Sequence, residues 1–459
     1  MIQPELNDLS REELIQINLK QAQLIEALQK EIEVLRLKID KLQKKPPTNS
    51  KNSSQPPSQD QKPGRLVNRP KRKHGPAQGH EKHERKFVER PDHVVELKAQ
   101  SCTCCHADLR GQTVELVDVN QITELPPGKA EVIELRQYGV TCQRCGQVEI
   151  QPPPEGLEME RTFGARLEAT VTYYRQEQHM SYERTKASLQ ALHGVEISEG
   201  GIDQIMQRSG QKGIQAAIEI KTTVQQSSVV NSDETGARVD GQKAWEWVFC
   251  TLTAILHVIC PTRGTDEIEK VMGQHQPDVW GCDCLPAQLK AKAILFQLCL
   301  AHQLRNLQAL VDLYPQAFWP RAMQALFRFA VHLYHQRNQL TLNQYQAQLL
   351  RIEWLCNRLL DRSINEPEIY KLQKRYRKHR QHLFVFLYRS DVAPTNNVSE
   401  RALRSSVIHR KVTGGFRSQW GAAAYAALAS VIDTAALKGI NAFEALQSLI
   451  GKPALPLTL

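Results

Sequence analysis

Long apolar runs are the first thing this sequence lacks. Nowhere do about 18 consecutive apolar residues occur, the length a membrane-spanning helix needs, and the longest stretch, Val248 to Cys260, is broken by Thr and His. The N-terminal MIQPELNDLSREE is too polar for a secretory signal, so a soluble cytoplasmic protein is expected. A disulfide framework is missing too. The 11 cysteines are odd in number and clustered, which without a secretory signal favours metal ligation and reduced thiols. Nor is there an acidic excess: 59 Lys and Arg against 49 Asp and Glu leave a net charge of +10, which suits a polyanion such as nucleic acid. The 459 residues, 41% of them hydrophobic, are enough for two or three domains with real cores, which excludes a disordered chain.

What is present is organised around Ser228 to Val258. The apolar Val229-Val230 leads to Asp233 and Glu234, where the run is expected to break into a Thr-Gly turn and present an acid at a strand edge. Asp240-Gly241 reads as a hairpin turn, and beyond it Trp245, Trp247 and Phe249 share one face while Glu246 and Val248 share the other. Asp before Thr-Gly is also ordinary turn chemistry. Two more acids change the balance: Asp283 in VWGCDCL again follows a short apolar stretch, and Glu400 in TNNVSERALR opens a helical segment. Strand Asp, strand Asp and helical Glu are what a nuclease needs to gather carboxylates around two divalent cations about 3.5 to 4 Å apart. Asn397-x-x-Glu400 also reads as a capping box, a role with no need of metal. Arg401, Arg404, His409, Arg410, Lys411 and Arg417 follow, cations that suit DNA phosphates.

Upstream, residues 9 to 45 read as a long polar helix with a narrow seam. Asn18, Ile25, Ile32 and Ile39 take heptad position a and Gln21, Leu28, Leu35 and Leu42 position d, which favours a parallel two-stranded coiled coil and hence a dimer or higher oligomer. Residues 46 to 90, rich in Pro, Ser, Gln and Lys, read as a linker, and its run Arg69 to His74 is either a phosphate grip or a solvated tether. Two C-x-x-C pairs, Cys102/Cys105 and Cys142/Cys145, have the spacing of a structural zinc ribbon, with strands expected between them and Cys104 as a spare thiol. SYERTKASLQALHGVEISEGGIDQIMQR has the cadence of a helix-turn-helix, with Ser198 capping a second helix over Gly201 to Arg208 that offers Gln204, Gln207 and Arg208 outward. Cys282, Cys284, Cys299 and His302 raise a second Cys/His metal site, set against core packing. Leu304 to Leu387 is helical almost throughout. Its Lys371, Lys374, Arg375, Arg377, Lys378 and Arg380, with Tyr370 and Tyr376 interleaved, suit a DNA backbone track or a solvated face. The helix from Ala422 and the closing helix Ala442 to Ile450 read as packing elements.

The segments SDETGARVDGQKAWEW, LCLAHQLRNLQ and TNNVSERALRSSVIHRKVTGGF resemble the transposase of the bacterial insertion sequence family 66, within the DDE superfamily, and the resemblance covers nearly the whole chain. It implies a multidomain α+β protein: a coiled coil over 1–45, a basic linker over 46–90, a zinc ribbon over 91–155 and a helix-turn-helix-like region over 156–226. A ribonuclease H-like catalytic core would span 227–420 with an all-helical insertion at about 304–390, before a helical segment over 421–459. By motif Asp233 and Glu400 match the first and last acids of the family; Asp283 matches the second, although Cys284-Leu285-Pro286 stands where the family has an aromatic-rich stretch. The resemblance implies two catalytic Mg²⁺ on these acids, with His302 supporting the site and Arg305 contacting phosphate; the cysteine spacing adds one structural Zn²⁺, and the local charge pattern adds DNA contacts from Arg208, Arg375, Arg401, Arg404, Arg410 and Lys411. The resemblance also implies transposon ends and target DNA as partners, accessory proteins of the same element, and work at the nucleoid. A catalytically inactive DNA-binding descendant and a zinc-ribbon transcriptional regulator are the alternatives.

Overall fold

The structure, a computed structural model, describes residues 10–43, 49, 51–53, 87–123, 125, 128–153 and 162–451. Helix α1 (Arg11–Gln43) extends for 33 residues. Ile25, Leu28, Ile32 and Leu35 of its expected seam are 48–56% exposed, so this apolar stripe is not buried against the chain's own described core. Ile39 and Leu42 lie outside the described side chains, and the Arg69 to His74 run outside the described residues. One piece of the linker is docked: Asn52 is buried and donates from Nδ2 to Asp312 Oδ2 at 3.0 Å.

Strands β1 (Gly139–Thr141) and β2 (Val148–Ile150) pair antiparallel on either side of the second cysteine pair. Of the strands expected between the two pairs, only β1 forms among the described residues. Val114, Leu116, Val117, Ile122 and Val132 are 61–96% exposed there, and an extended segment with neither a buried apolar face nor a paired strand has nothing to hold it as a strand.

Helices α2 (Ala165–Gln176), α3 (Tyr182–His193) and α4 (Glu199–Gln225) come next. Ser181 and Ser198 cap α3 and α4 by accepting from the backbone N–H of Arg184 and Gly201, and Gly194, at φ 67°, ends α3. The second helix does not stop at Arg208 as expected. It continues to Gln225 because its buried face runs on through Ser209, Gly210 and Gly213 to α12 (Gln419–Ala436). A Cβ on Gly210 would lie 2.7 Å from that of Ala424, so the small residues on both helices set how closely they approach.

The sheet has five strands, β3 (Val229–Val239), β4 (Gln242–Cys250), β5 (Ile255–Cys260), β6 (Val279–Cys282) and β7 (Leu295–Leu298), in the order β5-β4-β3-β6-β7. β4 is antiparallel to both β3 and β5, and β6 and β7 run parallel to β3. Asp240-Gly241, at φ 50° and 70°, forms the expected two-residue hairpin. The Thr-Gly break does not occur. Thr235 and Gly236 pair with Glu246 and Trp245, so Asp233 lies inside the central strand and not at an edge.

Helix α5 (Thr265–Met272) leads from β5 to β6. Five helices, α6 (Leu300–Leu313), α7 (Phe318–Gln336), α8 (Leu342–Asp361), α9 (Pro367–Lys378) and α10 (Val385–Tyr388), separate β7 from α11 (Asn397–Thr413). The alternation read from β4 decides what packs where. Trp247 and Phe249 share the main apolar core with Ile268, Val271 and Met272 of α5 and with Phe327 and Tyr376 of the helical stretch. Val248 and Cys250 pack with Ala402 and Leu403 of α11 on the other face. Helix α13 (Ala442–Ile450) closes on α2 through Ile450, Ala165 and Ala169. No helix among the described residues is long and apolar enough to cross a membrane.

Candidate active site

Strand register brings the two aspartates to the same end of neighbouring strands. Asn231 of β3 pairs in parallel with Gly281 of β6, and Asp233 and Asp283 each lie two residues further on. Cys282 pairs with Leu298 of β7, so Cys299 continues the same row. β6 and β7 both end here, which leaves the row at the carboxyl ends of parallel strands, where open α/β sheets place ligands.

Face alternation then separates Asp233 from its neighbour. Asp233 is opposite Val248 and therefore points to the α11 side, as does Thr235, whose Oγ1 accepts from Arg410 Nη1 of α11 at 3.4 Å. Glu234 points the other way, held by Arg263 Nε at 2.8 Å and by Gln288 Nε2 at 3.2 Å. Burial, then the charges of Glu234 and Asp283, push the Asp233 carboxyl from 3.8 up to about 8, against a hydrogen bond from the Glu234 N–H; Glu400 adds to the upward push. Among the described residues no cation lies within 4 Å of Asp233 or Asp283. Asp283 Oδ1 accepts from the Leu285 N–H at 2.9 Å, and Cys284 between them takes a left-handed φ of 85°.

Glu400 arrives from α11, and the expected capping box is absent. The residue before the helix is Asn396, whose side chain does not cap; its Nδ2 donates to Ser232 O on β3 at 2.7 Å. The Glu400 carboxylate instead meets α6, with Arg305 Nη2 at 3.2 Å and His302 Nδ1 at 3.6 Å. Asn396 is a positioning residue that the sequence reading passed over in favour of Asn397. The Asn-Asn doublet was the available signal. Oxygens of Asp233, Asp283 and Glu400 do not all fall within 4.8 Å of one another; among the described residues the set that does is Cys299, His302 and Glu400. Cys282 and Cys284 take no part in it.

The cations expected on DNA divide into two groups. Arg401, Arg404 and Lys411 are exposed along one face of α11. Arg208, half exposed, is paired at 2.6 Å with Glu168, which is 2% exposed. Arg375 donates to Gln303 Oε1 at 3.0 Å, Arg377 to Leu360 O at 2.7 Å, and Arg380 pairs with Glu353. Tyr376 is buried between Trp319 and Phe327, so it is core and cannot stack on a base. His409 also drops out. It is buried against Phe416 and Tyr425, and burial, then His179, holds it down at about 4, so it is neutral at pH 7. Lys371, Lys374 and Lys378 remain exposed on one face of α9.

The two cysteine pairs form matching turns. Cys102 N–H donates to Ala107 O and His106 N–H to Cys102 O, both at 2.9 Å; Cys142 N–H donates to Gln147 O at 2.7 Å and Gly146 N–H to Cys142 O at 2.8 Å. His106 and Gly146, the residues after each pair, take left-handed φ of 60° and 75°. Backbone N–H groups of Cys105 and Cys104 hold the Cys102 thiol below its usual range, and those of Cys145 and Arg144 do so for Cys142. Each turn thus favours a thiolate. The turns are not assembled on one another, since no three of these sulfurs lie within 4.8 Å.

Residues 160–424 match the model of a family described as "Transposase IS66 family", and residues 1–86 match a family of unknown function, DUF6444. An uncharacterised protein of Sinorhizobium fredii, y4hP, is 25% identical over 404 aligned positions that cover 77% of this chain and 70% of that protein.

Proposed function

The chain belongs to the IS66 transposase family, and from that premise we propose that it is a DNA transposase that binds the terminal inverted repeats of a bacterial insertion sequence and catalyses metal-dependent cleavage and strand transfer. The observation that carries this reading is the row of Asp233 and Asp283, with Glu400 presented by the helix that covers the Asp233 face. The order of the five strands, three antiparallel and two parallel, supports a ribonuclease H-like core over residues 227–420, and α6–α10 support a helical insertion within it.

Asp233, Asp283 and Glu400 hold two Mg²⁺ in this reading. Carboxylate oxygens suit that hard cation, and a bound cation would stabilise the ionised form of Asp233 that burial and the neighbouring acids disfavour. When bound, a pair of ions stabilises the attacking and leaving oxygens of an in-line displacement at phosphorus, first with water and then with the freed 3′ hydroxyl. Arg305 orients Glu400, and Asn396 fixes the start of α11 against β3. Arg401, Arg404 and Lys411 contact the DNA backbone, with Arg410, Arg375 and Arg208 nearer the body of the protein. Cys102, Cys105, Cys142 and Cys145 take one structural Zn²⁺ that draws the two turns together, and α1 pairs protomers so that both ends of the element are handled in one complex, with the element's accessory proteins alongside.

The test is cleavage of DNA carrying the element's ends in Mg²⁺, comparing wild type with Asp233→Ala, Asp283→Ala and Glu400→Ala at matched DNA binding. Cutting by wild type and by none of the variants is expected. Cutting by Asp283→Ala alone would mean that another residue is the second acid. Binding without cutting by wild type, even with the element's other proteins present, would overturn the catalytic reading in favour of an inactive DNA-binding descendant.

A further inference from the structure

Cys299 immediately precedes α6, His302 lies in that helix's first turn, and Glu400 enters from α11, so two elements distant in sequence aim three different donors at one point. Their ligand atoms lie within 4.8 Å of one another. Cys299 is 1% exposed, and its Sγ accepts from the Asn396 N–H at 3.2 Å. His302 Nδ1 is buried with no hydrogen-bond partner, 3.6 Å from Glu400 Oε1. Core packing accounts for a buried cysteine. It does not account for a buried imidazole nitrogen left unpartnered beside a carboxylate.

We propose that Cys299, His302 and Glu400 form a site for a thiophilic divalent cation such as Zn²⁺, and that filling it withdraws Glu400 from the magnesium site. The second half rests on the role proposed for Glu400; the first does not. Sulfur, imidazole and carboxylate donors favour zinc over magnesium, and three protein ligands leave a fourth position open. With bonds of about 2.0 to 2.3 Å, ligands on one tetrahedral zinc stand roughly 3.3 to 3.8 Å apart, so a small shift of the Glu400 side chain closes the set. Arg305 Nη2 contacts the same carboxylate at 3.2 and 3.4 Å. A carboxylate offers about four lone-pair sites, enough for the guanidinium and the cation together. The site would read zinc availability through the one acid that α11 supplies.

The test is cobalt(II) titration of the full chain under reducing, anaerobic conditions, followed by the thiolate-to-cobalt absorption band and by the number of ions bound. Cys299→Ala and His302→Ala are each expected to bind one ion fewer than wild type. A variant with Cys102 and Cys142 changed to Ser is expected to keep the Cys299-dependent ion. Equal stoichiometry and spectra in wild type and both single variants, with their melting curves unchanged, would overturn the site. His302→Ala removes a ligand without opening the fully buried Cys299 position, so the count stands even if Cys299→Ala folds poorly. In the second arm, end cleavage in Mg²⁺ is measured with and without Zn²⁺, each protein against its own zinc-free rate. Inhibition of roughly tenfold or more is expected in wild type and little in Cys299→Ala. Equal inhibition of both overturns the competition. If wild type does not cut in Mg²⁺ at all, the transposase reading fails while the cobalt count still decides the ion site.

Discussion

Arg305 Nη2 stands 3.2 Å from one oxygen of Glu400 and 3.4 Å from the other, so a single guanidinium nitrogen on α6 spans the carboxylate that α11 presents. The pair is part-buried, which makes it less screened than a surface ion pair. The acid is therefore aimed from a neighbouring helix and not from its own.

Arg305→Ala should lower end cleavage about 10- to 100-fold, the usual cost of losing a group that orients a metal ligand. DNA affinity should change little, because the guanidinium is already engaged with Glu400. Single-turnover cleavage beside a gel-shift titration checks both. A loss of affinity that matches the loss of rate would make Arg305 a phosphate contact instead.

The Asp233 carboxyl titrates at about 8 in the fold against an ordinary 3.8. Its folded value is the higher, so its contribution to stability is complete below about pH 4 and is lost as pH rises through 8. Metal-free protein should therefore lose melting temperature across that window. Mg²⁺ should restore more of it the higher the pH, because the cation binds the ionised form. Melting curves from pH 4 to 9, with chelator or with Mg²⁺, check the slope; Asp233→Asn should flatten it.

A second buried set of charges lies away from the acids. His257 Nδ1 is 2.9 Å from Glu246 Oε1 and its Nε2 is 2.9 Å from Asp433 Oδ2 on α12; Ser406 of α11 donates to the same Glu246 oxygen at 2.6 Å. Burial opposes the imidazolium, but hydrogen bonds to Asp433 and Glu246 outweigh it and bring His257 up to about 9. His257→Ala should cost about 3 to 5 kcal/mol, since it strands the buried Glu246 and the half-buried Asp433. With the folded value raised, the stability it gives is whole below about pH 6.5 and fades as pH passes 9. Urea unfolding of wild type and variant at pH 6 and pH 9.5 should show the difference between them shrinking.

Gly415 sits at φ 139°, and a Cβ there would meet Arg238 O at 2.8 Å. Phe416 N–H donates to that same Arg238 O at 2.8 Å, so the Gly-Gly turn docks the chain after α11 onto β3. Gly415→Ala should cost about 1 to 3 kcal/mol through strain and the backbone clash. Chemical denaturation would show it, and a neutral result would mean that this turn relaxes freely.

Along α11, Arg401, Arg404 and Lys411 point outward together. Changing all three to Gln should weaken DNA binding at low salt and reduce the slope of log affinity against log salt by about one for each phosphate no longer neutralised. An unchanged slope would show that DNA runs elsewhere.

How much of this was legible in the sequence follows the range of the forces involved. Ser198 and the Asp240-Gly241 turn act within a few residues, and each sits where local chemistry indicates. The two faces of β4 were legible because alternation is also local. Thr235 and Gly236 looked like a turn because their strand partners, Glu246 and Trp245, lie beyond the hairpin. The order of the acids was readable, whereas their surroundings were not. Asn396 is spent on Ser232, Glu400 on Arg305, and His409 between Phe416 and Tyr425, contacts made across the fold that no spacing announces. Charge runs are an incomplete guide for the same reason, since Arg208 and Arg380 carry partners that the helix pattern cannot show.

The five helices between β7 and α11 also set an order of events. A ribosome releases both aspartates, on the strand side of the row, well before the segment that bears Glu400, and α6–α10 must emerge in between. A nascent or truncated chain that ends before Asn396 holds two of the acids and lacks the third. The chain's own synthesis therefore withholds a complete acid set until α6–α10, which include the partner that steadies the last acid, have already been made.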